Sequence, residues 1–266
     1  MVRSRSQGVI ARRYGVDGSK RGPDELLVEE PLAIHLDDTQ ISSTMRTPGH
    51  DFELAAGYCN SEGVLGDAKI LGIRYCGTGA PIDSDFNVVS VETGGHAPEP
   101  TPRLGSTSSS CGICGAEAIG ELTERLHVLP AYEPWSVEFL LGLPEKSKEK
   151  QALFGLTGAS HAAAAFDRSG EMVMIREDIG RHNAVDKVVG RLLLDGRLPA
   201  RDLALFVSGR SSFEMVQKAW AAGFTALVAV SAPSSLAVAT ARRSGITMVG
   251  FARSGEGSVY SPDSSV

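Results

Sequence analysis

Two cysteines three residues apart, Cys111 and Cys114, sit in the run Cys111-Gly112-Ile113-Cys114-Gly115. A thiol attacks only as the thiolate, and a helix start or a neighbouring cation raises that fraction. A helix is predicted directly after the run, with Ile119, Leu122 and Leu126 along one side. Both sulfurs are therefore expected near its positive end. Gly112 and Gly115 let a bulky sulfur donor approach. Three chemistries fit: thiol–disulfide exchange, half of a metal site, or a persulfide that one sulfur accepts and the other helps release. A metal site needs more ligands at finger spacing. The remaining cysteines, Cys59 in an apolar helix and Cys76 at a strand end, read as small buried hydrophobes. No metal ligands are assigned.

A second group of candidate residues marks anion binding. Parallel strands bind ligands outside their carboxyl ends. Three such ends are Ser208-Gly209-Arg210-Ser211-Ser212, Ala232-Pro233-Ser234-Ser235 and Phe251-Ala252-Arg253-Ser254-Gly255. Two open into helices, whose free N–H groups favour phosphate. Arg210 and Arg253 add bidentate donors. No Walker loop is present, which argues against ATP hydrolysis. A polar cluster, Arg176-Glu177-Asp178-Ile179-Gly180-Arg181-His182-Asn183, precedes a long helix. Asp178 could cap it and Arg181 could pair with an acid. Alternatively His161, Arg176 or His182 faces the ligand crevice.

The elements that must position these residues fall into two parts. Residues 1–22 read as a basic, disordered tail. Residues 23–130 read as a small α+β domain, with extended runs at Glu25–Glu30 and Pro31–Leu36 and strands at Ile41–Met45, Ile70–Cys76 and Asn87–Glu92. Asp51 is expected to cap its helix. A Gly-, Pro-, Ser- and Thr-rich loop from Thr93 to Ser110 then delivers the chain to Cys111. Residues 131–266 form the second part. After a connector with a short amphipathic piece around Phe139, a hairpin turns at Asp167–Gly170, and a helix carries Val185, Val188, Val189 and Leu192 on one face. Strands at Leu203–Val207, Ala226–Val230 and Thr247–Phe251 then alternate with helices at Phe213–Ala222 and Leu236–Ser244. Short apolar strands alternating with helices predict an α/β fold with a parallel sheet covered on both faces.

Composition limits the possible partners. The chain has 266 residues and a formal net charge of -6. That argues against a general nucleic-acid binder. No apolar run is long enough to span a bilayer. With no export signal, a reducing, cytoplasmic setting is expected, and structural disulfides are not.

Together these residues resemble the FdhD family of formate dehydrogenase accessory proteins. The resemblance rests on the Cys111–Gly115 run, Thr157-Gly158-Ala159-Ser160-His161-Ala162-Ala163 and Glu177-Asp178-Ile179-Gly180-Arg181-His182-Asn183-Ala184-Val185-Asp186-Lys187. It rests also on Ser212-Phe213-Glu214-Met215-Val216-Gln217-Lys218 and Gly250-Phe251-Ala252-Arg253. It implies a sulfurtransferase that takes sulfur from a cysteine desulfurase as a persulfide on Cys111, with Cys114 as the second cysteine. The sulfur would pass to the molybdenum cofactor, a bis-pterin guanine dinucleotide, before its insertion into formate dehydrogenase. The implied cofactor segment is Phe251, Ala252, Arg253, Ser254, Gly255 and Glu256, beside the strand-end residues Ser208 and Arg210. Glu256 is an odd neighbour for phosphates. The resemblance further implies a homodimer and a C-terminal three-layer α/β/α domain similar to cytidine deaminases. Deamination itself is not expected. It needs a zinc set at two helix starts, and no cysteine follows Cys114.

Overall fold

The computed structural model describes residues 3–76, 86–99 and 126–262. The Cys111–Gly115 run, residues 100–110 of the loop before it and most of the expected helix after it lie outside the described residues. Among the described residues the strands form three sheets, of six, four and two strands.

The six-stranded sheet carries most of the core. Its strands are β7 (His161–Asp167), β8 (Met172–Asp178), β9 (Leu203–Val207), β10 (Ala226–Ala229), β11 (Thr247–Arg253) and β12 (Glu256–Ser261). Every residue of β9 and β10 is buried. Strands buried on both faces need no polar alternation, so they read as continuous apolar runs. Three helices cover one face: α4 (Arg181–Leu194), α5 (Phe213–Ala221) and α6 (Ser235–Ser244). On the other face, α2 (Val137–Lys148) packs Leu140 and Leu143 against Phe166, Phe206 and Val228, and the short α3 (Ala152–Thr157) follows it in the chain. The sheet is mixed rather than wholly parallel. Strands β9, β10 and β11 are parallel, while β7, β8 and β12 run against their neighbours. The short piece expected around Phe139 is the twelve-residue α2, capped by Ser136, whose hydroxyl accepts from the Phe139 N–H.

The smaller sheet comprises β3 (Glu30–Leu36), β4 (Thr39–Arg46), β5 (Gly72–Tyr75) and β6 (Val88–Glu92). It buries Leu32, Ile34, Val89 and Val91 under α1 (Asp51–Ser61). Asp51 opens α1 but does not cap it. His50 holds the cap position, and the Asp51 carboxylate turns to the buried Arg46, accepting from Nε at 3.1 Å and Nη2 at 3.0 Å.

Residues expected to be a disordered tail instead form a ribbon, β1 (Ser6–Gly15) paired antiparallel with β2 (Gly18–Leu27). The turn is Val16-Asp17, closed by Gly15 opposite Gly18. Basic composition suggested a solvated tail, but the pairing ladder satisfies the backbone despite Arg12 standing opposite Arg21 and Arg13 opposite Lys20. Arg5 anchors the base by donating to the Glu177 carbonyl at 3.1 Å.

Helix α1 meets α4 through two glycines, Gly57 and Gly190. Around that contact, polar side chains tie the two halves together. Asp178 accepts from the Thr47 N–H at 3.1 Å, Asn183 Nδ2 at 2.9 Å and Lys187 Nζ at 2.6 Å. Lys187 also donates to the Thr47 carbonyl, and Asn183 to the Met45 carbonyl. Asp186 accepts three bonds, two from Lys218 at 2.8 and 2.9 Å and one from Ser61 at 2.8 Å. Much of the Glu177–Lys187 motif is therefore architecture: buried charges persist only where they are paired.

Candidate functional site

The carboxyl ends of β9, β10 and β11 lie side by side, as parallel pairing requires. The loops beyond them touch. The Ser211 N–H donates to the Ala232 carbonyl at 3.2 Å, and the Ser234 N–H to the Ser211 carbonyl at 3.0 Å. The Phe251 N–H donates to the Ser231 carbonyl at 3.2 Å. Ser212 and Ser234 hold the cap positions of α5 and α6, so two helix N-termini open at this edge.

Strand β7 runs antiparallel to β9, and this brings His161 to the same edge. The Ser208 hydroxyl accepts from the Ala162 N–H at 2.9 Å and lies 3.5 Å from His161 Nδ1. Gly209 has no side chain to separate its neighbours. A Cβ there would lie 3.5 Å from both Arg181 Cδ and His161 Nδ1. Arg181 begins α4, and Arg210 follows Gly209. Burial, and then the like charge of Arg210, push the Arg181 guanidinium down from its ordinary value, while Glu214 opposes the shift. Arg181 Nε is buried and has no hydrogen-bond partner, and the same holds for the fully buried Ser211 Oγ.

His182 Nε2 stands 3.9 Å from Glu214 Oε2 in the first turn of α5. Contact with His182, resisted by burial and helped by Ser212, holds the Glu214 carboxyl down to about 2. The half-buried His161 imidazole is pushed below its usual range by desolvation, then by Arg181 and His182, with Asp178 opposing. The edge thus gathers two arginines and two histidines around one carboxylate. Chemically, it suits an anionic ligand that would satisfy Arg181 Nε.

The sequence candidates divide accordingly. Ser208, Arg210, His161 and His182 come together. Arg176 does not join them: its Nη2 donates to Glu53 Oε1 at 2.9 Å, because β8 aims it at α1. The Phe251–Glu256 segment is not an open loop. Phe251, Ala252 and Arg253 end β11, Ser254 and Gly255 make the turn, and Glu256 starts β12. Phe251 is 47% exposed with φ at +53°, and Ala252 is buried. Arg253 lies beside β10, 3.4 Å from the Val230 carbonyl. Arg181 and Glu214 were not candidate ligands on sequence. Their signal was available in the first turns of two helices that start at one sheet edge, but only the β7–β9 pairing shows that the edges coincide.

Among the described cysteines, Cys59 is fully buried, and burial pushes its thiol up to about 12. Cys76 is half-buried rather than buried, because it lies just past β5, where Arg74 donates to its sulfur at 3.0 Å. A groove of about 610 Å³ lies at the hairpin base, lined by Val9, Ile10, Pro23, Glu25 and Leu156 among others. None of the strand-end residues lines it. No helix among the described residues is long and apolar enough to cross a membrane.

Similarity to known proteins agrees with the motif reading. A sulfur carrier protein FdhD from Streptomyces avermitilis is 48% identical over 261 residues, which cover 95% of this chain and 92% of the relative. The sulfur carrier protein FdhD of Mycobacterium tuberculosis is 43% identical over 262 residues, covering 94% of each. A Desulfotalea psychrophila crystal structure, described as that of a candidate formate dehydrogenase accessory protein, superposes with a TM-score of 0.80 at 26% identity. That match covers 98% of both chains. The model of the FdhD/NarQ family matches residues 27–266, and the chain belongs to that family.

Proposed function

We propose that this protein is a sulfur carrier for formate dehydrogenase. Cys111 accepts sulfane sulfur from a cysteine desulfurase as a persulfide and passes it to a bis-pterin guanine dinucleotide molybdenum cofactor. The observation that carries the cofactor half of this reading is the strand-end edge, where Arg181 Nε is buried without a partner beside Arg210, His161 and His182. A phosphate diester seated there would supply the missing acceptor and meet the starts of α5 and α6. Cofactor contact is assigned to Phe251, Ala252, Arg253, Ser254, Gly255 and Glu256, and to Ser208 and Arg210. The names of the relatives support the sulfur half.

The protein is proposed to act in the cytoplasm as a homodimer. Residues 23–130 would carry the thiol and residues 131–266 a cytidine-deaminase-like layer arrangement. Cys114 would serve as the second thiol of the run. No resident metal is assigned.

Intact-mass analysis after incubation with a cysteine desulfurase and cysteine tests the sulfur half. Wild type and Cys114→Ala should each gain one sulfur atom, and Cys111→Ala should gain none. Full sulfur loading of Cys111→Ala would overturn the assignment. Absence of loading on every form would favour a chaperone that delivers the cofactor without carrying sulfur.

A further inference from the structure

We infer that His161 couples phosphate binding at the strand-end edge to uptake of one proton, so that the site holds its anionic ligand more tightly as pH falls toward 6. The inference rests on the anion-binding reading above and adds a regulatory property to it.

His161 lies at the start of β7, with its Nδ1 3.5 Å from Ser208 Oγ. From α4, Arg181 comes up beside Gly209 at the same position as the imidazole. Arg210 follows β9, His182 is in the first turn of α4, Glu214 is in the first turn of α5, and Asp178 ends β8. Neither acid is free to hold a proton on His161. Asp178 is committed to Lys187, Asn183 and the Thr47 N–H. Glu214 faces His182.

With the edge empty, a second positive charge beside Arg181 is opposed by desolvation and by like charge. The imidazole is accordingly held below its usual range. An anion between Arg181 and His161 reverses both effects. It neutralises the arginine and accepts a hydrogen bond from the imidazolium. Ligand binding then draws a proton from solvent onto His161, and linkage requires affinity to rise as pH falls through the window between the free and bound pKa values. The bound state holds more protons than the empty one, so acid favours binding.

The probe is diguanosine pyrophosphate. Each of its phosphates has one ester and one anhydride linkage and carries a single charge that does not titrate near neutrality, so protons taken up must go to the protein. Isothermal titration of the full chain in buffers of different ionisation enthalpy, between about pH 6 and 8, reads both affinity and protons bound. Wild type should take up close to one proton at the midpoint, with affinity changing by up to about tenfold per pH unit. His161→Gln keeps a hydrogen-bonding side chain but cannot titrate, and should flatten the profile. Binding with no proton uptake in wild type, or an unchanged profile in His161→Gln, overturns this inference while leaving the anion site standing. No binding at any pH overturns both.

Discussion

Gly57 of α1 and Gly190 of α4 meet backbone to backbone. A Cβ on Gly57 would fall 1.8 Å from the Asp186 carbonyl oxygen, and one on Gly190 would fall 1.8 Å from the Glu53 carbonyl oxygen. Neither backbone can yield without moving its helix. The close approach also keeps Asp186 within reach of Ser61, at the far end of α1.

Substitution at that contact should therefore oppose the ordinary helix preference. Gly57→Ala and Gly190→Ala should each destabilise by roughly 1–3 kcal/mol or more, because overpacking forces the helices apart. Gly142 in α2 has nothing within 4 Å of its would-be Cβ. Gly142→Ala should stabilise by about 0.5–1 kcal/mol, the usual gain over glycine inside a helix. Chemical denaturation midpoints compare the three. Equal effects would discount the glycine contact.

Lys218 and Asp186 form a buried pair joining α5 to α4. Burial alone would lower the lysine, but Asp186 and Glu62 hold it up, and the ammonium persists. Lys218→Met should cost about 3–5 kcal/mol, since it leaves a buried carboxylate without its cation. Asp186→Asn combined with Lys218→Met should recover a large part of that loss. Simple additivity of the two single substitutions, read by thermal unfolding, would refute the coupling.

Glu53 links the smaller sheet's helix to β8. Burial would raise its carboxyl, but hydrogen bonds from Arg176 and His50 overcome this and hold it at about 2, below its ordinary 4.5. A depressed folded-state pKa stabilises the fold above the unfolded value. That contribution is lost as pH falls from about 4.5 toward 2. Glu53→Gln should flatten stability against pH across that window, measured by denaturation at stepped pH. An unchanged acid limb would show that other carboxylates carry it.

Arg181 should trade stability against binding. Its guanidinium is crowded by Arg210 and its Nε lacks a partner. Arg181→Gln is expected to leave the melting temperature of the free protein equal or higher. The same change should weaken diguanosine pyrophosphate by about ten- to a hundredfold, the worth of a charge-assisted hydrogen bond of roughly 1.5–3 kcal/mol. It should also reduce the salt dependence of binding. A lowered melting temperature with intact affinity would make Arg181 structural.

Several features of this chain could be read from local residues alone. Strands β9 and β10 announce themselves because burial on both faces leaves only apolar residues. Helices α5 and α6 start at serines and α6 ends at Gly245, chemistry that acts within one turn. The loops Ser208–Ser212 and Ala232–Ser235 follow from that alternation. What tertiary structure decided is which charges meet. Arg176 and Arg181 stand five residues apart, yet one pairs with Glu53 and the other faces Gly209 and His161. That sorting depends on β7 pairing antiparallel with β9 and on α1 lying against α4, both long-range contacts with no local signature. The N-terminal ribbon and the turn of Ser254-Gly255 into β12 were hidden for the same reason. A strand is stabilised by its partner across the sheet, and its own residues report that partner only weakly.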